Sequence, residues 1–265
     1  MKNRFSFSLV GLALICSILA CTWSIPGNQS VIGSGKAGAE DRTVNNITGV
    51  DLAMSGTLDV TIGASESLRI EADDNLLQYI QTDVSGGTLE IKTRPGVNLQ
   101  PVRPIKYHLT VTGLNSLSIS SSGDIIAPDL KSNNFSIAIS SSGNLSLKKL
   151  DCNSLVVRVS SSGDTSISAL TAKTLSVSIS SSGNVDIAGG QVQQQTITIS
   201  SSGQYRARDL ASENADVSLS SSGDATLRVS AVLSGRLSSS GNINYIGSPK
   251  VNVSNSSSGR ARQVK

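Results

Sequence analysis

Serine is the most abundant chemically competent side chain here, and its spacing is regular. A Ser-Ser-Ser-Gly motif occurs eight times, with its glycines at Gly123, Gly143, Gly163, Gly183, Gly203, Gly223, Gly241 and Gly259. A serine nucleophile needs a general base within hydrogen-bond reach. The single histidine, His108, is far in sequence from every copy, so the motif is not read as catalytic. The residues that follow the glycines, Asp124, Asn144, Asp164, Asn184, Gln204, Asp224 and Asn242, never place aspartate in successive repeats. A calcium ladder would want several carboxylates per repeat and a glycine-aspartate nonapeptide, so no metal site and no cofactor are expected. Gly33-Ser34-Gly35-Lys36-Ala37-Gly38 formally matches a dinucleotide fingerprint, but it lacks the preceding strand and following helix that the fingerprint requires.

Three cysteines remain to be placed. Lys2 and Arg4 precede an apolar run from Phe5 to Ala20, the pattern of an export signal. It ends Ile18-Leu19-Ala20-Cys21, which resembles the lipobox of bacterial lipoproteins. That resemblance implies cleavage after residue 20 and a lipid on Cys21. Thr22, in place of aspartate, implies passage to the outer membrane. The alternative is a plain signal peptide that happens to contain Cys16 and Cys21. Residues 21–41, rich in Gly and Ser, read as a flexible lipid-anchored tether. Cys152 has no thiol partner left for an internal disulfide and is expected to be a small buried side chain at a corner.

Position then depends on the repeat. The glycine spacing is 20 residues five times and 18 twice. Within one repeat the apolar residues alternate: Leu145, Leu147, then Leu155, Val157 and Val159. Period two, with β-branched residues and few good helix formers, argues for strands rather than helices. The expected fold is all-β, a parallel β-helix of about 20 residues per coil in which each coil covers its neighbour's core face. Ile137, Val157, Val177, Ile197 and Val217 would form one inward column. Each glycine is expected to provide a left-handed turn, and the serines to bond one another and the backbone at the corner.

Composition agrees. Aromatics are 3% and charged residues 15%, fewer than an α/β enzyme of 265 residues normally carries, while the 38% apolar fraction can form a thin core of branched side chains. Without Lys2 and Arg4 the chain carries 20 basic and 19 acidic side chains, so no global field recommends a nucleic-acid partner.

Residues 42–118 lack the motif but alternate as strands around Gly turns, with Gly86-Gly87 reading as a hairpin and a helical turn at Asn75 to Ile80. The segments ITGVDLAMSGTLDVTIG and ADDNLLQYIQTDVSGGTLEIKT, followed by the serine-glycine turns, resemble the head "GIN" domain of auto-transporter-type adhesins over roughly residues 42–259. The resemblance implies a right-handed β-helix, export, and a role in adhesion; it supplies no catalytic motif. Residues 42–118 would then cap one end, with 119–259 as the repeats and a basic tail at 260–265.

On that fold the flat outward row of Ser176, Ser178, Thr196, Thr198 and Ser200 is the candidate face for glycans or surface proteins, or else a solubilising face. The competing reading is a carbohydrate-active enzyme. It would need two carboxylates facing one cleft, for which Asp186 and Asp216 are the candidates. Hydroxyl ladders also permit ice binding, although Arg158 and Asp216 interrupt the array. Open solenoid ends leave homo-oligomers possible.

Overall fold

The computed structural model describes residues 29–265. The export signal, Cys21 and the first part of the expected tether lie outside the described residues. The chain from Ser116 onward winds as stacked coils. The first is built from β10 (Ser116–Ile119) on the front and β11 (Asp124–Lys131) on the back, and β12 (Asn134–Ile139) opens the second, stacked on β10. Each strand pairs in parallel with its equivalent one repeat later, as in Ile137 opposite Val157 and Ile125 opposite Leu145. Inward residues of the second strand fall at Ile125, Ala127 and Leu130. Spacing of two and then three makes that strand turn a shallow corner, so every coil has a front face, a back face and a narrow side.

The front column Leu117, Ile137, Val157, Val177, Ile197 and Val217 is in register and buried throughout. Each aliphatic side chain in such a column is covered by the coil before it and the coil after it, which makes the array cooperative. The expected solenoid is therefore the observed one.

The N-terminal region extends the same columns. It comprises β1 (Gln29–Ile32), β2 (Ala37–Arg42), β3 (Gly49–Ala53), β4 (Thr57–Ile62), β5 (Ser67–Asp73), β6 (Ile80–Ser85), β7 (Thr88–Thr93), β8 (Val97–Gln100) and β9 (Lys106–Val111). On the front, Leu89 of β7 and Val50 of β3 continue the column below Leu117. On the back, β9 and β4 continue it below β11. The region closes with antiparallel strands, β6 on β7 at the front and, at the back, β5 on β9 and β2 on β5. Gly86 and Gly87, at φ 57° and 79°, make the expected hairpin, and a single 3-10 turn spans Leu77–Tyr79.

The flexible tether is corrected here. From Gln29 on, the expected tether is folded: β1 pairs with β8 and β2 with β5. Gly33 and Gly38 serve close approach, and Gly35, at φ 74°, a left-handed turn. Asp73 is fully buried, and its carboxylate accepts from the backbone N–H groups of Gly35 (2.9 Å), Val102 (2.9 Å) and Arg103 (3.2 Å). A Cβ on Gly33 would lie 2.6 Å from the Asp73 carboxyl carbon, and one on Gly38 would lie 2.7 Å from Asp74 Cα. The false dinucleotide fingerprint is the segment that wraps this carboxylate.

Candidate functional site

The five residues of the proposed face meet on the front sheet. Ser176 is in register with Thr196 and Ser178 with Thr198; all four, and Ser200, are exposed. Neighbouring strands lie about 4.8 Å apart and alternate residues of one strand about 6.8 Å apart, so the hydroxyls form a flat two-dimensional lattice. Inward Val177, Ile179, Ile197 and Ile199 are buried beneath it and fix the strand orientation. Among the described residues none of the five hydroxyls is engaged by another protein group, which leaves donors and acceptors free for an external surface. Val156 and Arg158 flank the lattice on one side, Asp216 and Ser218 on the other. The surface is planar, not a cleft.

The other candidates are not brought to it. Asp216 lies on the front, whereas Asp186 lies on the back, paired with Arg206 at 3.2 Å. Two carboxylates on different faces cannot flank one glycosidic bond. His108 projects from the back of the N-terminal region, its Nδ1 4.0 Å from Asp59 and its Nε2 3.8 Å from Glu71. Cys152 is a buried free thiol at the side corner, its pKa pushed up to about 11 by burial and by Asp151. A raised pKa disfavours the thiolate that nucleophilic chemistry needs.

The motif glycines need a second correction. None of the eight has positive φ. What excludes a side chain is contact between coils. A Cβ on Gly163 would sit 2.7 Å from both Ile139 Cγ2 and Ser141 O, and closer still to the carbonyl oxygen of Gly143. The glycines thus form a column of touching backbones. The corner ladder is also main-chain: Ser160 N–H donates to Ile139 O at 2.9 Å, and Gly163 N–H to Ser141 O at 3.1 Å. The hydroxyls of Ser140 and Ser160 take no part in it.

The residues after the glycines do more than avoid repulsion. Asp124 Oδ1 accepts from both the backbone and the side-chain amide of Asn144, each at 3.0 Å. Asp164 does the same for Asn184, and Asp224 for Asn242. Asn144 Oδ1 in turn accepts from the Asp164 N–H at 3.3 Å, so Asp124, Asn144, Asp164 and Asn184 form a hydrogen-bonded chain.

Two features were missed from sequence. A shallow trough of about 500 Å³ runs along the side corner over the small residues Cys152, Ala172, Val192 and Ser212. Its signal was a column of small side chains at every twentieth position. Inside the coil, Tyr205 Oη donates to Gln195 Oε1 (2.6 Å), Gln195 Nε2 to Ser212 Oγ (2.8 Å), and Ser212 Oγ to the carbonyl of Arg228 (2.7 Å). This polar core lies where the repeat shortens from 20 to 18 residues.

Among the described residues no group of three His, Cys, Asp or Glu side chains is placed to hold a metal, and no helix is long and apolar enough to cross a membrane. No curated protein matches the chain. Several solved structures share the fold. A "putative lipid binding protein" from Parabacteroides distasonis has 24% identity and a TM-score of 0.79, covering 89% of this chain and 100% of that one. A "putative adhesin" from the same organism has 20% identity and a TM-score of 0.83 at the same coverage. One from Bacteroides fragilis has 22% identity and a TM-score of 0.67, covering 88% of this chain and 100% of that one. The family model described as "Putative auto-transporter adhesin, head GIN domain" matches residues 46–169 and 153–249, from the strands beneath the first coil to the start of the last, and the chain belongs to that family.

Proposed function

We propose that this protein is a non-enzymatic, lipid-anchored adhesin of the outer membrane that binds glycans or surface proteins through its front face. The observation that carries the reading is the unengaged lattice of Ser176, Ser178, Thr196, Thr198 and Ser200 on a sheet whose inward residues are fully packed. A rigid lattice loses little entropy on binding, which favours repetitive surfaces over small ligands. The adhesin description of the family agrees with it.

The lipid on Cys21 follows from the lipobox-like sequence. The described residues begin with β1 at Gln29, and residues 22–28 can span at most roughly 25–30 Å between it and the anchor. The front face has eleven stacked strands, giving a rod of roughly 50 Å at the strand-pairing distance. The C-terminal coils would then be the outermost part.

A glycan and matrix-protein array tests the face, using the wild type beside a Ser178→Lys/Thr198→Lys variant. Binding that survives both bulky substitutions would sink the proposal. Palmitate incorporation that persists in Cys21→Ser would remove the anchor.

A further inference from the structure

The charge of the chain is unevenly distributed along the rod. Residues 224–265 carry Arg228, Arg236, Lys250, Arg260, Arg262 and Lys265 against a single acid, Asp224, a net of +5 in a chain whose total is +3. Asp224 is already engaged by Asn242, whose backbone and side-chain amides donate to it at 2.8 and 3.0 Å. Arg228 is paired with Asp209. The other five cations are exposed and, among the described residues, have no carboxylate partner.

Their placement spans the corner, back and front of the last two coils. Arg260 follows the final corner glycine, and Arg262 lies on the back, donating to Asn244 at 2.7 Å. Lys265 ends the chain beside Arg208. Lys250 opens the last front strand, Lys250–Asn255, and Arg236 stands on the front between Ser218 and Ser254. That last strand is paired on one side only and exposes Asn252, Ser254 and Asn255.

We propose that this terminal coil is a second binding site, for acidic polysaccharides bearing uronate or sulfate groups. The cations pair with the anionic groups, and the neighbouring amides and hydroxyls hydrogen-bond the sugar hydroxyls. Nucleic acid fits less well, because base stacking needs exposed aromatic rings and the local one, Tyr245, is half-buried. The site rests on the binding role proposed above but not on the front-face hydroxyls or the lipid.

The test measures retention of the full chain on immobilised heparin and polygalacturonate across a salt gradient. Arg236→Ser/Arg260→Ser/Arg262→Ser should bind at least tenfold more weakly and elute at lower salt. Lys250→Ser/Lys265→Ser supplies an independent loss should the triple variant fold poorly. Lys148→Ser/Lys149→Ser removes equal charge elsewhere and should change binding less than twofold. The five front-face hydroxyls carry no charge, so any retention they contribute persists at high salt, which separates that face from this site. Equal loss from the Lys148/Lys149 variant, absence of binding at low salt, or tighter binding to duplex DNA or phosphatidylglycerol vesicles would each overturn it.

Discussion

The repeats and the N-terminal region share one core but hold it differently. In the repeats, each coil is fixed by backbone contacts copied from its neighbour: touching glycines and serine and glycine amides that donate one coil back. In the N-terminal region, order depends on individual side chains. Asp73 gathers three amides, Glu66 accepts from Ile47 N–H at 2.9 Å, and Arg42 reaches the carbonyls of Leu77 and Ile80. A distributed device tolerates most changes outside the glycine. A local one fails at a single residue, and its failure stays local.

The hardest test of that contrast is Gly163→Ala. The added carbon meets backbone and a buried isoleucine, none of which can swing away, so a loss of at least about 3 kcal/mol is expected, with cooperative melting of the whole array. Chemical denaturation would show it; a loss under 1 kcal/mol would mean that neighbouring coils slide more freely than close packing allows. Asp73→Ala should cost about 2–4 kcal/mol by leaving buried amides unpaired. Hydrogen exchange should then rise in residues 29–42 and 101–104 while the coils stay protected. Uniform exchange along the chain would erase the distinction between the two regions.

Tyr205→Phe should cost about 1–2 kcal/mol, since Gln195 Oε1 loses its donor inside the core. The smallest effect has the opposite sign. Thr165 is fully buried with an unpartnered hydroxyl, in a column whose neighbours are Leu145 and Val185. Thr165→Val should raise stability by about 1 kcal/mol, read as a higher melting temperature.

Much of this was legible because a solenoid is periodic. Eight motifs set the coil length, and alternation set the inward column, both without knowledge of distant contacts. The glycines were legible as necessary but not for the correct reason. A Gly followed by Asp or Asn suits either a left-handed turn or a close backbone approach, and only the stacked neighbour decides. Nothing in its Gln-rich stretch marks Gln195 as buried, because its partners Tyr205 and Ser212 lie in later segments of the winding. Residues 29–41 read as a tether because their strands pair with β8 and β5, far along the chain, and their glycines serve a buried carboxylate rather than flexibility. The outward position of the front-face hydroxyls was legible because outward parity is as regular as inward parity.

The aspartate–asparagine chain at the corner gives the rod a rule of even numbers. Excising residues 144–163 would remove one whole coil and preserve every aliphatic column, yet it would set Asp124 directly against Asp164. Excising 144–183 instead would return Asp124 to an asparagine, Asn184, and restore the bond. Apart from the coil that begins at Gln204, lengthening or shortening by recombination is therefore favoured in steps of two coils, about 10 Å of reach at a time.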